Sequence, residues 1–292
     1  MAYPSRTLRT LKITAAGSPK FAALSAPAYL SFLNSIYIEI TGWQVNLGIS
    51  GRLKKMRIDI WSDYACPFCY IGKRRLENAL RDFPGRDEVE VVFRSFELDP
   101  HAKVLQSGDI HSKLAEKYGM TRERAKEMNA QLGAQAKEEG LDFRFDSIIS
   151  TNTFDAHRLG HYAREHGKAA EMTERLLQAY FTDGSHLGKK ESLAELAAEV
   201  GLDKQDVLYM LAGNAFTEAV RQDEEEARRL GITGVPFFVV NGKYGVSGAQ
   251  PLTVFKDVLN TVWAEEHRPQ QLQRIGNAAP DGDGCGDGSC SV

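Results

Sequence analysis

The sequence has no excess of one charge, no long apolar run, no internal repeat and few cysteines. The formal net charge is −3 over 292 residues, which argues against a nucleic-acid partner and gives no sign of a membrane surface. The most apolar stretch near the start, residues 21–43, is interrupted by Pro27, Asn34 and Glu39, so we expect no transmembrane helix. The lack of a repeat excludes a solenoid architecture. The four cysteines fall in two close pairs: Cys66 with Cys69, and Cys285 with Cys290.

Residues 1–55 are predicted to form an N-terminal extension outside the fold. They are basic and poor in acidic residues, but they lack the clean apolar core and small-residue cleavage site of a signal peptide. A weak export signal is the competing interpretation. Without export the protein is cytoplasmic, where thiols are held reduced, so it would reduce or reshuffle disulfides more than insert them. We therefore expect a cytoplasmic protein.

The first cysteine pair, Cys66-Pro67-Phe68-Cys69, lies where a strand passes into a helix. Residues 56–61 alternate apolar and charged side chains, which predicts a strand, and the run that follows the pair has the apolar spacing of a helix. Cys66 then falls at the helix N-terminus, where unpaired N–H groups and the positive dipole end favour a thiolate. Pro67 is tolerated in the first helical turn, and Cys69, one turn on, faces the same side. The spacing indicates dithiol redox chemistry, in which Cys66 attacks and Cys69 resolves. Half of a zinc site and a static disulfide are the alternatives.

A proline-containing segment near the other end has a strand–turn–strand pattern. Pro236 stands at the start of the apolar run 237–240, a position where a strand permits proline. Asn241-Gly242 follows and predicts a hairpin whose second strand begins at Lys243. An ordinary trans-proline strand entry is compatible with the local sequence.

The overall pattern predicts an α/β fold with an inserted all-helical domain. Residues 56–108 and 215–266 carry the strand signals and would form one discontinuous domain. Residues 109–214 show helix signals only, and we expect this block to cover one side of the cysteine pair and shape a groove. The predicted helix caps are Thr121, Thr153, Asp203, and Ser192 in a capping box with Glu195.

Several polar residues outside the cysteine pairs are predicted to have structural roles. His157 and His161 share a helix face, but no Glu follows the first histidine, so the metalloprotease pattern fails. We expect solvated or groove-lining histidines there and no metal site. The acidic run that begins at Asp223 is predicted to be a solvated helix face with spaced ion pairs. Asp63, three residues before Cys66, is expected to cap the cysteine helix, and tuning of Cys66 is the alternative role.

Residues 267–292 are expected to be a flexible tail rich in glycine and aspartate. Cys285 and Cys290 lie in this tail, which has no core for a disulfide to stabilise, so we predict a mobile second redox pair that exchanges with Cys66 and Cys69. A linker of about twenty residues reaches roughly 25 Å, compared with a radius of gyration of about 17 Å for the folded body. A soft-metal site and no role at all are the alternatives. No closing Glu exists for a calcium loop, so we reject that reading.

Three segments together resemble the DsbA-type thioredoxin family, and within it most closely the FrnE branch of disulfide oxidoreductases and isomerases. They are residues 59–77 (DIWSDYACPFCYIGKRRLE), 152–165 (NTFDAHRLGHYARE) and 232–251 (ITGVPFFVVNGKYGVSGAQP). The resemblance runs from about residue 56 to about residue 266. It implies a thioredoxin fold interrupted by a helical insertion, with Cys66 as the exposed nucleophile, Cys69 as the resolving thiol and Pro236 as a cis-proline that faces them. The middle segment is typical of the branch but suggests no mechanism for its residues.

The sequence therefore predicts a thiol–disulfide oxidoreductase or protein disulfide isomerase. Pro67, Phe68, Val235 and Pro236 would contact the substrate, whose extended strand would pair with the Val235 backbone. The expected partners are protein substrates with disulfides or thiols and a cellular thiol reductant, with no cofactor, nucleic acid or membrane. One alternative is a glutathione-dependent enzyme of this fold that acts on small molecules, although such relatives tend to have serine in place of Cys66 and lack the second cysteine. A non-enzymatic zinc or chaperone module is the other alternative.

Overall fold

The computed structural model describes residues 55–267, together with the backbone of two earlier strands. These strands, β1 (Ile36–Ile40) and β2 (Trp43–Leu47), pair antiparallel with each other. The predictions for the rest of residues 1–55 and for the tail after residue 267, including Cys285 and Cys290, lie outside the described residues and stay predictions. No helix within residues 55–267 is both long and apolar enough to cross a bilayer.

The main domain is built on a four-stranded sheet. Its strands are β3 (Met56–Ser62), β4 (Val89–Ser95), β5 (Phe237–Val240) and β6 (Tyr244–Ser247), in the spatial order β4-β3-β5-β6. β5 runs antiparallel to both of its neighbours. The turn between β5 and β6 has positive φ at Asn241 and Gly242, as a tight hairpin requires. The strands predicted around the cysteine pair and after Pro236 are thus confirmed.

The two faces of the sheet are covered by helices, because alternate residues of a strand point to opposite sides. Phe238 in β5 packs edge-to-face on Phe255 of α9 (Leu252–Glu266), which in turn packs against α1 (Pro67–Arg81). Trp61 of β3 lies in a buried cluster with Ala227 of α8 (Thr217–Arg229). Each large apolar side chain buried in this way contributes about 1.5–3 kcal/mol to stability. The sheet is therefore the middle of three layers that hold α1 in place.

Gly72 sets the close approach of α1 to the proline segment. A Cβ added at Gly72 would lie 3.1 Å from side-chain atoms of both Pro236 and Phe238. Contacts this short leave no room for a side chain on this face of the helix. The absence of a Cβ therefore lets the helix that begins at the cysteine pair pack directly on the residue that follows Val235.

The segment between β4 and α8 is helical, as predicted for residues 109–214. Its helices are α2 (Ile110–Tyr118), α3 (Arg122–Glu138), α4 (Phe154–Glu165), α5 (Ala169–Gln178), α6 (Lys190–Glu199) and α7 (Lys204–Ala212), and a π-helical turn (Ala179–Asp183) extends α5. They share a core of fully buried apolar side chains that includes Leu159, Met172, Leu176, Leu177 and Phe181. The domain boundaries that we drew from the sequence stay predictions.

The predicted helix caps had mixed outcomes. Thr121 and Asp203 cap α3 and α7 through their side chains, as expected. Thr153 occupies the cap position of α4, but its hydroxyl makes no cap bond. The capping box predicted at Ser192 was wrong. Lys189, whose backbone is extended, is the N-cap of α6, so Ser192 lies inside the first turn. The local pattern therefore located all four helices and gave the wrong first residue only for α6.

Candidate active site

Cys66 is the N-cap residue of α1, at the end of the short loop that follows β3. Its backbone is extended, Pro67 opens the helix, and the first turn contains no acidic residue. The Cys66 N–H donates to the carbonyl of Asp63 at 3.1 Å, while the Cys66 carbonyl accepts from the N–H of Cys69 at 3.1 Å. The first-turn amides and the dipole of α1 therefore favour negative charge at this end of the helix.

Both cysteines are free thiols and both are buried. Cys66 is 4% exposed and Cys69 is 2% exposed. The family resemblance implied that Cys66 is exposed. This expectation was wrong, because almost all of the Cys66 surface is buried. The physical reason is the proline segment: the Cys66 thiol lies 3.5 Å from the carbonyl oxygen of Val235, to which it donates. Cys66 is reached through the groove that it lines, whereas Cys69 is not among the groove residues.

The environment of Cys69 keeps its sulfur protonated. Burial raises the pKa of the Cys69 thiol well above its usual range, and the adjacent Cys66 raises it further. Hydrogen bonds from the Ser62 side chain and the Asp63 backbone act in the opposite direction but do not outweigh burial. The contact with Ser62 is a feature that sequence reasoning missed. Only the position of Ser62 at the end of the strand before the motif could have suggested it.

The Val235–Pro236 peptide bond is cis, as the resemblance implied. Pro236 is buried against Gly72, and its carbonyl accepts a hydrogen bond from the N–H of Gly248 at 2.8 Å. Val235 stays partly exposed beside Cys66. The structure thus brings Cys66, Val235 and Pro236 together although the chain separates them by about 170 residues.

A groove of about 660 Å³ opens at Cys66, between the cysteine motif and the helices α2 and α3. Pro67, Phe68 and Val235 line it on the motif side, so the predicted substrate-contacting residues other than the buried Pro236 share one surface. The helical side contributes apolar residues and two lysines: Ile110, Leu114, Met128, Leu132, Lys113 and Lys117. Phe68 is 45% exposed, which is unusual for a phenylalanine and extends the apolar lining outward. The predicted groove beside the helical block is therefore present.

Asp63 does not cap α1, contrary to our expectation. Its carboxylate accepts from the N–H of Ala65 at 3.2 Å and from the N–H of Leu98 at 2.7 Å, and it faces His157 at 3.4 Å. The helix begins too far along the chain for Asp63 to reach its first amides. Burial pushes the pKa of Asp63 upward, but hydrogen bonding to His157 and Leu98 outweighs it and leaves the pKa below the usual value. Asp63 is thus a buried carboxylate that fixes the turn before Cys66.

His157 and His161 are buried rather than solvated or groove-lining, so that expectation was wrong. They are 3% and 4% exposed and face two different carboxylates, Asp63 and Asp223. The prediction for the acidic run was wrong at Asp223, which is 2% exposed, because its carboxylate bonds Arg94 and the N–H of Ser95 behind the sheet. Within residues 55–267 no three His, Cys, Asp or Glu side chains are grouped closely enough to hold a metal ion.

The free cysteine pair lies at the start of a helix, against a cis-proline segment and beside a helical insertion. Comparison with known protein families shows which family has this arrangement. The model of the DSBA-like thioredoxin domain matches residues 57–260. The chain belongs to the DSBA-like thioredoxin family. This DSBA-like chain therefore has the thioredoxin fold that its sequence predicted, and the FrnE branch within the family stays a prediction.

Known relatives of this DSBA-like protein include a solved structure of high similarity. A probable DsbA oxidoreductase from Streptomyces coelicolor is 46% identical with a TM-score of 0.70, and the match covers 77% of this chain and 97% of that one. The uncharacterised protein YwbO from Bacillus subtilis is 29% identical over 207 residues, which are 70% of this chain and 96% of YwbO. The thiol:disulfide interchange protein DsbA from Azotobacter vinelandii is 27% identical over 162 residues, which are 54% of this chain and 74% of that protein. Membership of this family supports an enzyme with redox or isomerase activity.

Proposed function

We propose that this DSBA-like protein is a thiol–disulfide oxidoreductase and disulfide isomerase that acts on protein substrates through Cys66 and Cys69. The observation that carries the proposal is the Cys66 thiol at the head of α1, 3.5 Å from the Val235 carbonyl and opening into the groove. This sulfur has access to substrate, and Cys69 does not. The two thiols therefore have different tasks.

The first step is attack of the Cys66 thiolate on a substrate disulfide. A bond forms between Cys66 and one substrate sulfur while the substrate S–S bond breaks, and the other substrate sulfur leaves as a thiolate. The first-turn amides of α1 stabilise the attacking anion. In the second step Cys69 attacks the Cys66 sulfur, which releases the substrate as a dithiol and leaves the Cys66–Cys69 disulfide. Attack by a substrate thiol instead of Cys69 gives isomerisation.

The groove supports an extended protein segment as the substrate. Its apolar lining offers side-chain pockets, and Val235, a partly exposed residue beside Cys66, is positioned to pair with a substrate strand. As part of this proposal we place the protein in the cytoplasm, with a cellular thiol reductant as electron donor. In that compartment the dithiol would be regenerated after each turnover.

Cys69→Ser should convert the enzyme into a trap for mixed disulfides. Cys66 can still attack, but the resolving thiol is gone, so the covalent complex between Cys66 and the substrate accumulates. Mass spectrometry of the variant mixed with a disulfide-containing protein should find close to one substrate per chain, bound at Cys66. Cys66→Ser/Cys69→Ser is the matched control and should trap nothing. Equal trapping by both proteins would assign the reaction to another cysteine and refute the proposal.

The tail pair Cys285 and Cys290 is proposed to recycle the first pair. Cys285→Ser/Cys290→Ser should slow re-reduction of the Cys66–Cys69 disulfide severalfold and leave peptide affinity unchanged, because only the exchange partner is lost. Stopped-flow reduction by a dithiol, with a peptide titration alongside, measures both quantities. Unchanged recycling would show that the tail thiols take no part in turnover.

One observation favours a second candidate, a glutathione-dependent isomerase or transferase. The groove volume lies within the range of small-molecule sites, about 300–1,000 Å³, and Lys113 and Lys117 line it. These ammonium groups would suit a carboxylated small thiol. Turnover of a scrambled protein compared with turnover of a glutathione conjugate separates the two functions, and the presence of both cysteines favours the first.

A further inference from the structure

The groove beside Cys66 combines an apolar surface with two positive charges. Four of its apolar side chains are between 42% and 61% exposed: Phe68, Leu98, Tyr118 and Met128. Exposed apolar surface that is gathered in one place marks a binding site for another molecule. The positive charges are the ammonium groups of Lys113 and Lys117. An occupant of this groove therefore meets apolar surface and positive charge together.

Both lysines lie on the groove face of α2. Residues three and four positions apart share a helix face, and the groove residues of α2 have this spacing: Ile110, Lys113, Leu114 and Lys117. With a rise of about 1.5 Å per residue, the two lysines are about 6 Å apart along the helix axis. Side chains two positions apart in an extended strand also share a face, at a distance of about 6.6 Å. Two acidic side chains separated by one residue can therefore face both lysines at once.

The helix that carries the lysines is fixed by its own side chains. The buried His111 of α2 bonds the amide of Asn129 in α3 through Nδ1 at 2.9 Å, and its Nε2 lies 3.0 Å from the Asp146 carboxylate. The Asp109 side chain caps the first turn of α2. Binding at the lysines then costs only the ordering of their flexible side chains, because the helix is already in place.

Neither ammonium group is paired with a carboxylate among residues 55–267. The Nζ of Lys113 donates to the amide oxygen of Gln106 at 2.9 Å, and the Nζ of Lys117 lies 5.8 Å from the centroid of the Tyr118 ring. Partial burial lowers the pKa of Lys113, because water is removed from the charge without a carboxylate to replace it. A carboxylate supplied by the occupant would compensate for that loss.

The carboxylates that line the same groove, within the described part of the chain, leave the lysines available. Asp63 is buried and accepts from the N–H of Leu98 at 2.7 Å. Asp99 is exposed and accepts from the N–H of His101 at 3.2 Å. Both belong to the segments around the sheet and neither belongs to α2. The positive charge of the groove is thus concentrated on its helical wall.

Resting on the proposed redox function, we propose that the preferred substrates are protein segments in which two acidic residues, separated by one residue, accompany apolar side chains near the reactive cysteine. The extended segment lies along α2, with its two carboxylates at Lys113 and Lys117 and its apolar side chains on the apolar lining. These ion pairs hold the substrate disulfide at the Cys66 sulfur. The two lysines are therefore specificity-determining residues that contact the substrate away from the reacting sulfurs.

Peptides that differ only in one pair of residues test this spacing. Each has apolar neighbours and one cysteine joined by a disulfide to a coloured aromatic thiol. The pair is two glutamates separated by one residue, two adjacent glutamates, or two separated glutamines, placed in turn at several distances on either side of the cysteine. Attack by Cys66 on the peptide sulfur forms the mixed disulfide and expels the coloured thiolate. Dividing each rate constant by that for a neutral dithiol removes differences in intrinsic reactivity.

Reduced full-length protein carrying Cys285→Ser and Cys290→Ser is the parent for these measurements. We expect the best peptide with separated glutamates to react at least about fivefold faster than its glutamine counterpart, because two ion pairs form and one is partly buried. Adjacent glutamates should gain less, because their side chains point to opposite faces of the segment. Lys113→Gln/Lys117→Gln should remove the preference and leave the glutamine peptides unchanged. Lys137→Gln is the matched control, because Lys137 is an exposed lysine of α3 outside the groove, and it should keep the full preference.

Equal rates for glutamate and glutamine peptides in the parent would overturn the proposal. An equal gain for adjacent and separated glutamates, or a preference that survives in Lys113→Gln/Lys117→Gln, would do the same. A glutathione disulfide of the coloured thiol that reacts as fast as the best peptide would assign the lysines to a small thiol and also overturn it. Should the double variant fail to fold by circular dichroism, Lys117→Gln decides: a weaker preference supports the proposal and an unchanged one overturns it. Absence of release from every peptide would instead refute the redox function.

Discussion

Cys66→Ser is expected to abolish reduction of insulin disulfides, with a loss on the order of a thousandfold or more, as for other catalytic nucleophiles. The serine hydroxyl is not ionised at neutral pH, so the amides at the head of α1 have no anion to stabilise. Cys69 cannot replace it, because Cys69 is buried and burial raises the pKa of its thiol. The rate of insulin precipitation with a dithiol reductant measures the effect.

The control for this experiment should keep the fold and remove a thiol elsewhere. Cys285→Ser leaves the first pair intact and breaks only the proposed recycling pair, so its insulin-reducing rate should fall no more than severalfold, far less than in Cys66→Ser. Similar circular dichroism spectra for both variants would show that the loss is chemical. Full activity of Cys66→Ser would mean that a different sulfur attacks the substrate, and the assignment of roles to Cys66 and Cys69 would be wrong.

Asp223→Ala is expected to cost about 3–5 kcal/mol of folding free energy at neutral pH, the usual penalty for breaking a buried ion pair. Asp223 is buried in α8 and accepts bonds from Arg94 at 2.8 Å and from the N–H of Ser95 at 2.9 Å. Its removal leaves the Arg94 charge and the strand amide without this partner. Urea unfolding at neutral pH gives the loss directly. Glu225→Ala in the same helix removes an exposed ion pair with Arg228 and should cost less than about 1 kcal/mol.

The same carboxylate makes the stability depend on pH. Burial raises the pKa of Asp223, but hydrogen bonds from His161 and Ser95 and the pairing with Arg94 outweigh it, so the folded-state pKa lies below the usual value. Such a group stabilises the fold above its unfolded pKa of about 3.9 and loses that contribution as pH falls through the folded pKa. Unfolding free energies between pH 6 and pH 3 should therefore fall more steeply in the parent than in Asp223→Ala. Parallel curves would show that Asp223 is not the linked group.

The sequence was sufficient to predict the elements around Cys66 and Pro236 whose signals are local. The alternation before Cys66, the apolar spacing after it and the turn residues at Asn241 each specify one element, and these elements form as expected. The cis bond at Pro236 could not be read from its neighbours. It followed only from the resemblance of the segment to a family.

The features that the sequence could not predict depend on contacts between distant parts of the chain. Asp223 lies in a run of acidic residues typical of a solvated helix face. It is buried nevertheless, because it pairs with Arg94 on β4, 129 positions away. Asp63 likewise bonds Leu98 and faces His157 instead of capping the adjacent helix. Charge patterns along a helix predict exposure only when no buried opposite charge lies behind it. The roles of both aspartates are set by tertiary partners.

The contact between the Cys66 thiol and the Val235 carbonyl joins residues 169 positions apart. During synthesis the first thiol therefore leaves the ribosome long before the residue that will shield it. Until the second half of the domain has been synthesised, the Cys66 sulfur can react with any oxidant or neighbouring thiol. Formation of the Cys66–Val235 contact consequently marks the point at which both halves of the domain have come together.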